Sequence, residues 1–399
     1  MNIENIFFEM TSQNNSMVLI IDAFIYLFFV IEVLYLLVFS LASLHNSENK
    51  YPKAKINHNI VIIYSVFKGH NIIVNSIKRL NNQDYPKDLF NVITVIDKTM
   101  SNEIDELNKL GVTTLSIDID NKSKGYAIKQ ATNLILEKNI KCDIVILLDS
   151  DNDVDNDMLS KINDAYYSGC NAIQTHRIAK KRDTNIAILE AVSDEINNSI
   201  FRKGHTMLGF SSALIGSGMA FDFDIFKQCV DNCSILGFDK QLEIILLRNN
   251  IYIEYLESVF TYDEKFNNKE DYCDQRRRWA ASQFYNLING IIGVPLAIIK
   301  GKWDYCDKLL QWMMLPRTTL IVFLIFIATF LTMVNWILSV KWWFILLIVC
   351  FVFVMAIPNY LIDTKLKKAI KSLPFIVLFM VIRAFKIKKR EGIIGRLHE

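Results

Sequence analysis

The run Ile144-Val145-Ile146-Leu147-Leu148-Asp149-Ser150-Asp151-Asn152-Asp153 sets five apolar residues directly before a cluster of acids. An unbroken apolar run of this length fits a strand buried on both faces, which leaves the acids at its carboxyl end. Ile60 to Val66, Val92 to Ile96 and Thr113 to Ile119 have the same character. Stretches of helical period lie between them, over 70–82, 101–110 and 124–139, and another follows at 156–168. Strand–helix alternation predicts an α/β fold with a parallel sheet and right-handed crossovers. Ligands in such sheets sit at the carboxyl ends of the strands. Chemistry is therefore expected at Asp97, after the second strand, and at Asp149-Ser150-Asp151.

Two aspartates at spacing two can share one divalent cation, or divide between a ribose and a metal. Oxygen ligands of this kind suit Mg or Mn, which also bind substrate phosphates. A calcium loop is excluded: counted from Asp149, positions six and twelve are Val154 and Ser160, and counted from Asp151 they are Asn156 and Ile162. Neither register has the required Gly and Glu. Capping the helix that begins near Asn156 needs only one Asp. Further on, Gln275-Arg276-Arg277-Arg278-Trp279 gathers an amide, three guanidiniums and an indole. Arginine suits bidentate phosphate contacts, and the indole offers a face for a sugar ring. The six His lack ligand spacing, which excludes zinc and Ser-His-Asp chemistry. Seven Cys without a C-x-x-C pair exclude a disulfide scaffold and fit a reducing compartment.

The 399 residues carry 44 Lys+Arg against 42 Asp+Glu, a net +2, which excludes a whole-chain nucleic-acid footprint. Hydrophobic residues make up 52%, and mean hydropathy is +0.23, too high for a purely soluble protein. The excess is local. Residues 17–43 are apolar except for Asp22 and Glu32, with Glu32 expected near mid-membrane. Thr318 to Val340 and Trp342 to Ile362 are uncharged and separated by Lys341. A spanning helix needs about 20 apolar residues, so all three stretches qualify. The last two together would reach about 67 Å as one helix, so they are expected to form a hairpin, with Trp336, Trp342 and Trp343 at the interface. Leu373 to Ile382, flanked by basic residues, is too short to span and is expected to lie on an anionic leaflet.

Residues 1–49 contain no Lys or Arg, and Lys50, Lys53 and Lys55 follow the first span. Positive residues stay cytoplasmic, so the expected layout is N-terminus outside and the central domain inside. The segments are an extracytoplasmic 1–16, spans at 17–43, 317–340 and 342–362, a catalytic domain at 50–285, interfacial helices at 286–316 and a basic tail at 364–399. The first span lacks the basic n-region of a cleavable signal.

The motif order is specific. Asp97, the D-S-D at Asp149 to Asp151, Gly216-Ser217-Gly218-Met219-Ala220, Phe238-Asp239-Lys240 and Gln275-Arg276-Arg277-Arg278-Trp279 together resemble glycosyltransferase family 2. Within it, the chain resembles the membrane-embedded synthases related to cellulose, hyaluronan and poly-N-acetylglucosamine synthases. Gln83-Asp84-Tyr85-Pro86 and Lys124-Gly125-Tyr126-Ala127 add to the likeness, which covers roughly 56–285. The resemblance implies a GT-A-like Rossmann-type nucleotide-sugar domain inserted between transmembrane helices of a bacterial inner membrane.

By that resemblance, Asp97, Lys124, Asp149, Gln275 and Arg278 bind the donor nucleotide. Asp149 and Asp151 hold Mg or Mn, Asp239 is the catalytic base, and Ser217, Gly218 and Trp279 face the acceptor. The implied partners are a nucleotide-sugar donor, a glycan or lipid-linked acceptor and membrane lipids, with an oligomer or export partner supplementing the few spans. The turn at Tyr64 to His70 lacks the family's acidic member, and Phe238 replaces the acid beside the base. Glu243, one helical turn beyond Asp239, is the rival base. The competing readings are a single transfer to a lipid-linked sugar and a non-catalytic sugar-nucleotide-binding subunit.

The charge pattern makes a direct prediction. With Asn5→Cys or Gly395→Cys as the only exposed thiol, an impermeant reagent added outside intact cells labels position 5 alone. Labelling at both positions refutes the odd number of spans.

Overall fold

The computed structural model describes residues 3–45, 51–66, 70–98, 101–118, 124–233, 237–265, 268–373 and 375. A long helix α1 (Ile3–Ser43) precedes the central domain. That domain begins with β1 (Ile60–Val66), α2 (His70–Leu80), β2 (Phe90–Asp97), α3 (Ser101–Lys109), β3 (Thr113–Ile117), α4 (Lys124–Glu137) and β4 (Ile144–Asp149). It continues through β5 (Asp153–Val154), α5 (Met158–Tyr167), β6 (Ala172–Ala179), α6 (Asn185–Asn198), a π-helical segment (Ser199–Gly204) and α7 (His205–Met207). Then come β7 (Met219–Asp222), α8 (Phe223–Asp231), α9 (Phe238–Arg248), β8 (Ile253–Asp263) and α10 (Lys269–Ile291). Helices α11 (Val294–Ile299), α12 (Trp303–Met313), α13 (Arg317–Val334) and α14 (Trp336–Met355) follow.

The strands form one sheet in the order β3-β2-β1-β4-β7-β6-β8-β5. β1 pairs in parallel with β2 and β4, and β2 with β3, as the alternation predicts. β7 then runs antiparallel between β4 and β6, so the second half of the sheet is mixed. Successive side chains of a strand face opposite ways. Val61 and Ile63 of β1, with Val145 and Leu147 of β4, meet α4, α8 and α9, whereas Ile60, Ile62, Ile144 and Ile146 meet α2 and α5. Both faces are apolar because both are covered.

A third core joins the domain to the long apolar helices. Phe29, Val33, Leu36 and Phe39 of α1 pack with Ile188, Val192 and Ile196 of α6, Leu320 and Leu324 of α13, and Trp342 and Val349 of α14. Among the described residues, three helices are long and apolar enough to cross a membrane, at Leu19–Ser43, Arg317–Val334 and Trp336–Met355. The hairpin turns at Asn335, not at the expected Lys341. The Asn335 side chain accepts from the Leu338 N–H at 3.3 Å and so starts a new helix. Lys341 lies inside α14, where it pairs with Asp22 of α1, and the Trp342 indole donates to the same carboxylate at 2.8 Å. Two charges that read as interruptions therefore neutralise each other across helices. Glu32, in the middle of the Leu19–Ser43 stretch, accepts through its Oε1 from the Leu315 N–H at 3.1 Å, just before α13.

Residue 285 falls inside α10, which continues to Ile291. α12 places Tyr305, Leu309 and Trp312 in the domain core, while Trp303, Leu310 and Met313 are exposed. The expected interfacial helix at 373–382 lies almost entirely outside the described residues.

Gly204 ends the π-helical segment where α1 crosses it, and a Cβ there would overlap the Phe39 carbonyl oxygen. Gly204→Ala should destabilise the protein by about 1–3 kcal/mol, the usual range for overpacking, read as a lower Tm of the purified chain in detergent. An unchanged Tm contradicts this seating of α1.

Candidate active site

Asp149 ends β4, and its carboxylate pairs with the Lys124 ammonium at the start of α4. The same ammonium donates to the Gly216 carbonyl. Gly216 adopts φ +49°, a left-handed conformation that favours glycine. A Cβ on Gly216 would sit 3.1 Å from Asp239 Oδ2, so the Asp239 carboxylate rests directly on this turn. Asp239 itself is in the first turn of α9. Lys124, Asp149, Gly216 and Asp239, far apart in sequence, thus meet at the carboxyl end of β4.

Asn152 fastens this strand end from behind. Its Oδ1 accepts from the Asp149 N–H at 2.9 Å and from the Ser217 hydroxyl. Its Nδ2 donates to Asp263 Oδ1 at 3.2 Å and to Asp151 Oδ1 at 3.4 Å. Ser217 was expected to line an acceptor pocket, but it is fully buried with its hydroxyl turned to Asn152. Gly218 is packed against the Thr175 and Thr261 side chains. These two residues therefore shape the site from beneath.

Asp263, at the end of β8, belongs to a buried charge network. It pairs with Arg177 and with Lys265 at 2.8 Å, and Lys265 also pairs with Asp194 of α6 at 2.5 Å. Burial works against the charge on Asp263, yet Arg177 and Lys265 hold its carboxyl below the ordinary range. For Asp151 the balance reverses: burial first, then the Asp263 and Asp149 carboxylates, push its carboxyl up to about 7. A bound cation is the largest local charge in such a site and reverses a shift of this kind. Among the described residues no group of three or more His, Cys, Asp or Glu could hold a metal ion. Asp149 and Asp151 make a two-carboxylate donor set, the kind that Mg or Mn completes with substrate phosphates. The residues present fit such an ion.

The other expected residues sit further out. Asp97 ends β2, two strands from β4 and about 10 Å across the sheet. Gln275, Arg278 and Trp279 lie within α10, and Ser282 and Asn286 of that helix pack against Gly237 at the foot of α9. Arg278 is exposed, while Arg276 turns inward. The Arg276 guanidinium lies 4.7 Å from the Trp279 ring centre and donates to Ser193 Oγ at 3.3 Å. Arg317, the first residue of α13, reaches the same Ser193 Oγ at 2.7 Å. Glu243 is buried, and its Oε1 accepts from the Leu214 N–H and the Lys308 ammonium, each at 2.9 Å.

Sequence reasoning missed Asn152, Arg177, Asp194, Asp263, Lys265 and Arg317. Only Asn152 carried a local signal, from its place between two of the motif's acids.

A profile of glycosyl transferase family group 2 matches residues 144–357, more than half of the chain. The mannosyltransferase PcManGT of Pyrobaculum calidifontis, solved with GDP-Man and Mn2+, has a similar fold. It aligns at TM-score 0.51 and 13% identity over 84% of this chain and 98% of its own. The fold is thus GT-A-like, with long apolar helices at both ends. TarS 1-349 of S. aureus, solved with UDP, aligns at TM-score 0.36 and 14% identity over 56% of this chain and 65% of its own. No curated protein matches the chain.

Asn152→Ala leaves the Asp149 N–H with only the longer contact to Ser217 and strips a donor from Asp263. The expected loss is about 1–3 kcal/mol for an unsatisfied buried group, measured by thermal unfolding. A Tm equal to that of the parent contradicts the role given to this amide.

Proposed function

The chain belongs to glycosyl transferase family group 2, and from that premise we propose a membrane-bound, inverting transferase. It moves a sugar from a nucleotide-sugar donor, UDP-linked by preference, to a growing polysaccharide or cell-surface glycan, forming a β-linkage. The observation that carries this reading is the meeting of Lys124, Asp149, Gly216 and Asp239 at one strand end.

In the proposed step the acceptor hydroxyl oxygen bonds to the anomeric carbon as that carbon's bond to the diphosphate oxygen breaks. The acceptor proton passes to the Asp239 carboxylate, a general base. Lys124 stabilises charge growing on the diphosphate and Arg278 closes over it, while Asp97 and Gln275 engage the nucleotide and Trp279 the acceptor. A Mg or Mn ion, when bound by Asp149 and Asp151, supplies further neutralisation of the leaving group. The role of Glu243 in an ion pair supports Asp239 over its rival as the base. The absence of an identifiable covalent nucleophile supports single displacement, so an α-linked donor gives a β-linked product.

The N-outside, domain-inside layout stands as part of this proposal, in the cytoplasmic membrane of a bacterium. Contacts of Asp22 with Lys341, and of Ser40 with Val352, make α1 and α14 run in the same direction, which suits it. A lipid-linked sugar is the second acceptor reading, favoured by the three spans. GDP-Man in the PcManGT structure adds GDP-sugars to the donors worth testing.

Two substitutions separate the roles. Asp239→Asn should lower kcat by about 10²–10⁴-fold, the range for general-base catalysis, with little change in donor affinity. Asp151→Asn should abolish both transfer and the Mn-dependent part of nucleotide binding, measured by titration with UDP and GDP with and without Mn. Near-normal turnover in Asp239→Asn, or full metal-dependent affinity in Asp151→Asn, sinks the respective assignment.

A further inference from the structure

Asp239 does not set its own position. We propose that Glu243, held by Lys308, is a positioning residue that fixes the base-bearing helix α9 against the loop 214–218. The proposal rests on the reading of Asp239 as the base.

Glu243 and Lys308 are each 2% exposed. One carboxylate oxygen, Glu243 Oε1, takes both the Lys308 ammonium and the Leu214 N–H, at 2.9 Å each. The next N–H along the loop, that of Ile215, donates to Gln174 Oε1 at 2.9 Å, and Gln174 Nε2 donates to the Ser217 and Gly218 carbonyls at 3.0 and 3.2 Å. Two buried side chains therefore grip consecutive peptide groups, Gln174 from the sheet and Glu243 from α9. The next residue after that grip is Gly216, on which the Asp239 carboxylate rests. Glu243 follows Asp239 by one helical turn, so both touch the same loop from the same helix face. The Glu243 contact thus sets how far the base stands from the turn that bears the Lys124-binding carbonyl.

A neutral side chain could satisfy one N–H. Burying an ion pair for the purpose costs desolvation, and the best-attested use of such a pair is to select one geometry. Lys308 has no freedom to drift: it also donates to Gln311 Oε1 at 2.7 Å. Gln311 Nε2 donates to Asp307 Oδ2 at 2.7 Å, and Asp307 accepts from the Tyr35 hydroxyl of α1 at 2.5 Å. The strut is thereby referenced to the helix that anchors the domain.

The test compares two double variants of the full chain, both lacking the ion pair. Lys308→Met with Glu243→Gln keeps an oxygen for the Leu214 N–H; Lys308→Met with Glu243→Met, of matched length, does not. Steady-state transfer and thermal unfolding are measured on each, with Glu243→Leu replacing the Met change should that protein fail to fold. The Met pair should lose about 10- to 100-fold in kcat at unchanged donor KM, as misplacement of a reacting group does. The Gln pair should recover most of that loss. Equal kcat in the two variants overturns the proposal, whether both stay near the parent value or both fall by about 10²–10⁴-fold as loss of a base would require. Asp239→Asn run alongside tells the cases apart: its inactivity, with equal kcat in the double variants, leaves the base assignment standing and removes only the positioning role.

Discussion

The site depends on a buried amide whose hydrogen-bonding groups are committed to four partners. Asn152 sits where β4 stops, and the chain must there release an acid toward ligand without exposing the strand's last N–H. By accepting from the Asp149 N–H and the Ser217 hydroxyl and donating to Asp263 and Asp151, it ties three separate segments into one rim. Asn, with two donors and an acceptor oxygen of two lone pairs, can do this. An Asp there would bring a further negative charge to a rim that already crowds Asp149, Asp151 and Asp263, where burial and its neighbours hold the Asp151 carboxyl up at about 7.

The polar interior extends from that rim toward the membrane helices. Arg177, Asp263, Lys265 and Asp194 neutralise one another in sequence, and Ser193, beside Asp194, receives both Arg276 and Arg317. Ion pairs removed from water are poor sources of stability, because desolvation offsets their attraction. Their arrangement makes better sense as geometry: α6 carries Ser193 and Asp194 at the junction of the sheet, α10 and the foot of α13. The same helix contributes Ile188, Val192 and Ile196 to the core shared with α1, α13 and α14, so one helix registers the sheet against the spans.

Much of this was legible from residue pattern. The first four strands lie within two residues of the apolar runs at each end that is described, and D-S-D falls at a strand end as alternation predicts, because local periodicity carries that information. Antiparallel β7 was not visible: its four residues Met219–Asp222 are too short to declare a direction. Lys341 looked like a turn since its partner Asp22 is 319 positions away, and no local rule reports so distant a pair. Arg278 and Arg276 differ in burial because a helix turns about 100° per residue; a run of three arginines hides which one faces inward. Ser217 was placed at the acceptor by family resemblance alone, yet its hydroxyl is taken by Asn152, an amide distant in sequence that no local rule pairs with it.

The central claim is single-displacement transfer from a nucleotide sugar, with the base and the metal-binding carboxylates acting at the end of β4. The most direct test is the anomeric configuration of the product. Purified full-length chain is incubated with a panel of α-linked UDP- and GDP-sugars, Mn and glycan or lipid-linked acceptors, and the new linkage is read by proton NMR and mass analysis. The account predicts a β-linkage formed with release of the nucleoside diphosphate. An α-linked product would contradict it, as would the absence of transfer from every donor that binds.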